Sequence, residues 1–247
     1  RGGRLSPTAN HLALVGCTAS GKSALAMELA RRLGDVELVT VDSMQVYRGM
    51  DIGTAKPDEA DQAEIPHHLI DLADPDEEWS VARWAAVARQ AVAGIEARGH
   101  RALLVGGTGL YFQAIVDGLV PPGRYPEVRL RLEADPDTVA LHRRLDELDP
   151  VAAGRMEPTN RRRVLRALEV TEGSGRPFSS FGPGLTAYPP TRWRIAGLWL
   201  PRAVVADRIR HRLTAMVAAG LVAETDALRS RPGGLSRTAR QALGYRE

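Results

Sequence analysis

Gly16-Cys17-Thr18-Ala19-Ser20-Gly21-Lys22-Ser23 spells G-x-x-x-x-G-K-S. The apolar run Leu12–Val15 precedes it, and a helical pattern from Ala24 to Leu33 follows. Strand, loop and helix in this order form a phosphate-binding loop. Its glycines let backbone N–H groups turn inward, and the helix N-terminus adds positive potential. Lys22 is placed to reach the outer phosphates and Ser23 to offer its hydroxyl to Mg²⁺. The bland alternative is a Gly-rich helix cap, which the flanking strand and helix argue against. Lysine usage supports the functional reading, because Lys22 and Lys56 are the only lysines among 33 basic side chains. A phosphate-loop lysine acts as a compact point charge that a guanidinium does not imitate.

The chain of 247 residues is long enough for a main domain plus a smaller one. No apolar run approaches the roughly 18 residues of a membrane span. Arg1–Asn10 lacks a signal peptide's apolar core and reads as a disordered or processed start. The single cysteine excludes an internal disulfide and fits a reducing, cytoplasmic setting. Cys17 reads as a small loop residue rather than a nucleophile. Charge is uneven: residues 1–120 carry 11 basic and 16 acidic side chains, residues 121–247 carry 22 and 14. The basic half fits either a polyanionic partner or a solvated Arg-rich surface.

Val36–Val41 is a β-branched run ending at Asp42. Ser80 caps a helix running to about Arg98, with Gly99 beyond. Trp84, Val87, Ala88, Ala91 and Ile95 form its apolar stripe. Arg101–Val105 is another buried strand, closed by Gly106-Gly107. This alternation predicts a parallel sheet flanked by helices, an α/β fold of the phosphate-loop type. Ligands bind such sheets at the C-terminal strand ends, where the segments from Gly16, Asp42 and Gly106 converge. Pro121-Pro122-Gly123 breaks the pattern, and Glu127–Glu172 reads as short Arg-rich helices. Phe181–Pro190 is a Gly/Pro loop. Arg194–Leu200 resumes as strand, followed by a helix from about Pro201. The expected organisation is a catalytic core of residues 1–120 and 191–247, interrupted by an all-helical insertion over 121–190.

The segment from Asp42 to Pro57, D-S-M-Q-V-Y-R-G-M-D-I-G-T-A-K-P, is richer in polar groups than a connection needs. Asp42 at a strand end suits a metal-associated carboxylate, a general base, or an Asx turn. Spacing does not decide among these. His67-His68 is a tempting metal pair, but adjacent side chains point apart, which favours structural roles.

Together with G-C-T-A-S-G-K-S, this segment, L-V-G-G-T-G-L-Y and R-I-R-H-R-L-T-A-M resemble the bacterial tRNA dimethylallyltransferases, in order from about Leu12 to the last residue. His67–Asp71 and Arg166–Val170 resemble further family segments. The resemblance implies transfer of a dimethylallyl group from dimethylallyl diphosphate to N6 of the adenosine 3′ of a tRNA anticodon, releasing diphosphate. It implies the phosphate loop Gly16–Ser23 as the diphosphate site, Mg²⁺ at Ser23, Asp42 as general base, and Lys22, Thr108 and Arg212 as further catalytic residues. It implies tRNA contacts at Asp42, Ser43, Met44, Gln45, Thr108, Arg129, Arg162, Arg163, Val164, Leu165 and Arg166. Arg208 and Arg212 share a helix face, with Ile209, Leu213, Met216 and Val217 expected mainly towards the core. Arg155, Arg161, Arg162, Arg163 and Arg166 are candidates to clamp the anticodon stem.

Relatives usually carry proline where this chain has Cys17, a change expected to matter little. Family sequences continue with helical, basic residues beyond the position of Glu247, so diphosphate binding is expected to survive here and tRNA grip to be reduced. A soluble monomer is expected. Three competing classes are an adenylate isopentenyltransferase, a small-molecule kinase and a non-catalytic RNA-binding module. The Arg-rich insertion speaks against the first. A Gly-Gly-Thr at the end of the Arg101–Val105 strand in place of a magnesium-binding Asp speaks against the second, although Asp42 could serve in that role. The coincidence of Lys22, Asp42 and Arg212 speaks against the third.

Overall fold

Five short strands build one parallel sheet. They are β1 (Leu12–Gly16), β2 (Val36–Val41), β3 (His67–His68), β4 (Arg101–Gly106) and β5 (Arg194–Leu198), in the order β3-β2-β4-β1-β5. The sheet is buried most fully in β2 and β4 and exposed along the edge strand β5. The structure, a computed structural model, describes residues 11–181 and 190–247. The expected N-terminal start and most of the Phe181–Pro190 loop lie outside the described residues. Between and after the strands run α1 (Lys22–Leu33), α2 (Glu59–Glu64), α3 (Val81–Ala97), α4 (Gly109–Val116), α5 (Pro126–Glu133), α6 (Thr138–Leu148), α7 (Pro150–Ala153), α8 (Arg161–Ser174), α9 (Arg202–Ala218) and α10 (Leu221–Arg229).

The described residues divide into two compact units, 11–117 with 190–247, and 118–181. In the first, β2 is buried along its whole length, as expected of a strand covered on both faces. Helix α3 starts where Ser80 accepts from the backbone N–H of Arg83, and Trp84, Ala88 and Ile95 are completely buried on its inner stripe. Trp84 stacks at 4.7 Å on Tyr111 of α4. Residues 118–181 form a separate, helical unit around Leu132, Leu141, Leu145, Val164, Leu165 and Leu168.

At the N-terminal end of the sheet, Glu37 is buried and held from three sides. Arg98 donates to both of its oxygens, at 3.0 and 2.6 Å, while His68 Nε2 lies at 2.6 Å and His100 Nδ1 at 2.8 Å. This arrangement explains β3: its two histidines diverge, His68 to Glu37 and His67 Nδ1 to the Ile65 carbonyl at 2.7 Å. The histidine pair is structural, as its spacing suggested. The Arg98 bonds, aided by the histidines, hold the Glu37 carboxyl at about 2, below its ordinary 4.5. A depressed carboxylate stabilises the fold above the unfolded value and stops doing so as pH falls through the folded one. Wild-type stability is therefore expected to drop by on the order of 3 kcal/mol between about pH 4.5 and 2 from this group. Chemical denaturation across that range, repeated on Glu37→Gln, checks this; the extra slope should vanish in the variant.

Candidate active site at the C-terminal ends of the strands

β1 runs directly into the phosphate loop. Ala19 and Gly21 take left-handed backbone angles, φ 62° and 91°, which curl the loop before α1 begins at Lys22. No side chain caps α1 and its first turn holds no acid, so its N–H groups and dipole face the loop uncompensated. Ser20 Oγ is buried without a hydrogen-bond partner among the described residues. A concave nest of N–H groups with an orphaned hydroxyl suits an anion. Lys22 reaches back to the Cys17 carbonyl at 3.2 Å. Cys17 is an exposed free thiol.

β2 ends at Asp42, whose Oδ1 accepts from the Met44 N–H at 2.8 Å. An Asx turn thus holds the carboxylate in a fixed orientation. Lys22 senses this group electrically: burial lowers the Lys22 pKa most, Asp42 opposes that, and Arg212 adds to it. Phosphate-loop lysine, strand-end carboxylate and α9 arginine are therefore brought into one electrostatic neighbourhood.

β4 delivers Thr108 to the same edge. A Cβ on Gly106 would overlap the Val41 carbonyl, and one on Gly107 would stand 3.1 Å from the Gly16 carbonyl. Only bare backbone lets β4 close against both β2 and the loop. Thr108 then sits at the start of α4, half-buried, its N–H directed to the Val41 carbonyl at 3.4 Å.

Helix α9 corrects one expectation. Ile209, Leu213 and Val217 are exposed, at 43%, 51% and 51%. The inward face carries Val205, Arg212 and Met216, each half-buried. Arg208, one turn before Arg212, donates to the Ala19 and Ser20 carbonyls at 3.4 and 3.3 Å. The stripe turned to the phosphate loop thus carries Arg208 and Arg212, while the more apolar stripe Ile209, Leu213 and Val217 stays exposed.

The loop after Asp42 is braced from within. Gln45 Nε2 donates to the Thr54 and Ala55 carbonyls, both at 3.0 Å. Lys56, only 3% exposed along its side chain, joins Asp51 at 2.5 Å, Asp71 at 2.6 Å and the Tyr47 carbonyl at 2.8 Å. The second lysine is thus a buried brace. Its survival in an arginine-using chain is a signal in the sequence, but not of this role. Glu224 and Tyr245, invisible to motif reading, close on residues 51–53 from elsewhere in the chain. A cleft of about 590 Å³ lies between this loop and α9, lined by Ile52, Lys56, Asp71, Arg212 and Met216 among others.

In the helical unit the candidate RNA residues separate into two kinds. Val164 and Leu165, in the stretch expected to contact tRNA, have side chains 0% and 2% exposed, because α8 turns them into the unit's core. Arg161 caps the end of α5 through the Glu133 and Asp135 carbonyls, and Arg166 binds Glu169 and the Pro122 and Gly123 carbonyls. Arg129 bonds Glu133 at 2.7 Å and lies 3.8 Å from Glu169. Arg155, Arg162 and Arg163 are exposed and make no ion pair among the described residues.

A parallel sheet with a phosphate loop after β1, a carboxylate after β2 and arginines on a later helix defines a phosphate-handling α/β enzyme. Residues 45–247 match the sequence model of the IPP transferase family. The chain is 48% identical over 258 residues to the tRNA dimethylallyltransferase of Halorhodospira halophila, covering 97% of this chain and 79% of that one. It is 49% identical over 247 residues to the tRNA dimethylallyltransferase of Kineococcus radiotolerans, covering 97% and 77%. The full-length tRNA isopentenylpyrophosphate transferase from Bacillus halodurans superposes with a TM-score of 0.64 at 40% identity, over 95% of this chain and 74% of that one. A eukaryotic dimethylallyltransferase acting on tRNA superposes with a TM-score of 0.79 at 25% identity, over 96% and 60%. The chain belongs to the IPP transferase family. No described helix is long and apolar enough to cross a membrane.

Proposed function

We propose that this protein transfers the dimethylallyl group of dimethylallyl diphosphate to N6 of the adenosine 3′ of the anticodon in tRNA. The observation that carries the reading is the convergence of the phosphate loop, Asp42 and Thr108 at the C-terminal ends of β1, β2 and β4, with α9 bonded to the loop through Arg208, in a chain of this family. In the transfer, the allylic carbon–oxygen bond breaks and a carbon–N6 bond forms. The N6 proton passes to the Asp42 carboxylate, and the bond's electron pair leaves on diphosphate. Loop N–H groups, Lys22 and Arg212 meet the charge that develops on that leaving group. Asp42 is oriented for its role by the turn to Met44, whose N–H binds Oδ1 and leaves a carboxylate as the proton acceptor. Thr108 stands at the same edge, beside the diphosphate and the incoming base.

Mg²⁺ fits the donor set. Ser23 is exposed on the first turn of α1, where its hydroxyl can supply one hard oxygen donor. Hard oxygen donors few in number, completed by substrate phosphates, are the usual magnesium arrangement. When bound, the ion would neutralise charge on the departing diphosphate.

The helical unit is the tRNA-binding part, with exposed Arg155, Arg162 and Arg163 reaching its phosphates. Ser43, Met44 and Gln45 face the target nucleotide. Replacing Arg162 and Arg163 by Ala should weaken tRNA binding and lower the salt slope by about 1 for each phosphate no longer neutralised. Arg161→Ala and Arg166→Ala should instead lower thermal stability. Filter binding over a salt series, beside thermal melts, separates the two outcomes. The protein acts as a monomer in the cytoplasm.

The defining experiment is transfer of labelled dimethylallyl, with Mg²⁺, to an unmodified anticodon stem-loop in competition with AMP and ATP. Label in the RNA that disappears when the adenosine beside the anticodon is replaced supports the reading. Label on AMP alone would replace it with the free-nucleotide reaction.

A further inference from the structure

Glu224 on α10 spends its whole carboxylate on a distant loop. Oε2 accepts from the N–H groups of Asp51 at 3.1 Å and Ile52 at 2.9 Å. Oε1 accepts from Gly53 N–H at 3.2 Å and from the Tyr245 hydroxyl at 2.5 Å. The Tyr245 oxygen in turn accepts from Gly53 N–H at 3.0 Å. Three successive backbone donors on one carboxylate make an anion nest filled by the protein itself. The approach is close because residue 53 is glycine: a Cβ there would overlap the Tyr245 ring. Tyr245 is 5% exposed, and burial, with Glu224 beside it, pushes its phenol upward, so it remains a protonated donor.

The clamp does not end at residue 53. The next two carbonyls, Thr54 and Ala55, receive the Gln45 amide, and Gln45 follows the Met44 N–H that orients Asp42. Lys56 fastens the same stretch to the Tyr47 carbonyl and Asp71. Every link from Glu224 to Asp42 is a hydrogen bond or a few covalent bonds. We propose that Glu224 and Tyr245 are positioning residues for the transfer step, fixing the Asp51–Gly53 backbone and, through Gln45, the stance of the Asp42 turn. This rests on the reading of Asp42 as the base. It adds residues 180 and more positions beyond Asp42 in sequence to the machinery of the reaction.

A role confined to holding the fold would lower stability without changing the chemical step. The test therefore measures kcat and KM for unmodified tRNA, single-turnover transfer, and calorimetric binding of inorganic diphosphate on the full chain. Glu224→Gln keeps the shape but places an amide N–H against the Gly53 and Tyr245 donors. It is expected to lower kcat by about 10–100-fold, the scale of a small displacement of a catalytic group, with diphosphate affinity unchanged. Tyr245→Phe removes the hydroxyl that donates to Glu224 and accepts from the Gly53 N–H, and keeps the three backbone bonds to Glu224; it should lower kcat in the same direction by less, and carries the test if Glu224→Gln does not fold. On an Asp42→Asn background the Glu224 substitution should add nothing, because it acts through a group already disabled. Unchanged kcat in both variants, equal loss of kcat and diphosphate affinity, or full additivity with Asp42→Asn overturns the proposal while leaving the base assignment intact. Normal transfer by Asp42→Asn alone overturns both.

Discussion

Asp42→Ala should lose dimethylallyl transfer by roughly 10²–10⁴-fold, the range over which general bases contribute. Inorganic diphosphate should still bind, because the loop N–H groups and Lys22 remain. Transfer RNA affinity should fall less than turnover. The side chain has two local jobs, the turn to the Met44 N–H and the proton transfer. Asp42→Asn separates them, since its amide oxygen can still accept from Met44 but cannot take up the N6 proton. Single-turnover rates for both variants, beside filter binding of tRNA, provide the measurement. Turnover and binding reduced in equal measure would mean that Asp42 only shapes the loop. A rate for Asp42→Asn near that of Asp42→Ala points to the proton.

The second large effect is expected at Lys22. Its ammonium is partly buried, donates to the Cys17 carbonyl at 3.2 Å and stands between the opposing influences of Asp42 and Arg212. Burial alone makes its charge costly, and an arriving diphosphate offers compensation. Removing a positioned donor of this kind costs about 10²–10³-fold in rate where it faces developing charge. Lys22→Ala should therefore weaken diphosphate binding and reduce transfer by about that factor. Lys22→Arg should not rescue it, because a forked guanidinium fits poorly where the loop is curled around a point charge. Calorimetry with diphosphate and steady-state transfer read the two effects separately. A Lys22→Ala protein with normal diphosphate affinity would remove Lys22 from the site.

The elements that read directly from the chain are those fixed by local chemistry. β2 is one unbroken buried run, and Ser80 with the stripe from Trp84 to Ile95 announces α3. The phosphate loop needs only its own eight residues and its two neighbours. Elements that depend on a distant partner are not legible in this way. β3 is two histidines whose pairing depends on Glu37, a residue far back in the chain. The face that α9 presents runs against expectation, because apolar periodicity alone points to the Ile209, Leu213 and Val217 stripe that stays exposed. The stripe that does turn in carries the Arg208 bonds to the Ala19 and Ser20 carbonyls, partners that helical periodicity does not encode. Val164 and Leu165 sit among arginines in sequence, yet helical periodicity carries them into a core.

A phosphate loop on a parallel sheet is legible from the residues alone, because strand, Gly-rich turn and helix are local and their glycines and lysine have few substitutes. The family is legible too, through ordered blocks long enough to be specific. Tertiary structure decided which of the many polar groups belong to one site. Lys22, Asp42 and Arg212 stand at positions widely spaced along the chain, and only the β1-β4-β2 order with the return of α9 brings them within electrostatic reach. It alone set Glu224 and Tyr245 on the backbone of residues 51–53, since a carboxylate shows no preference for N–H groups more than 170 residues away until the fold places them about 3 Å apart. Electrostatic and hydrogen-bond energies depend on distance in space, and sequence spacing encodes that distance only within a helix, a strand or a turn.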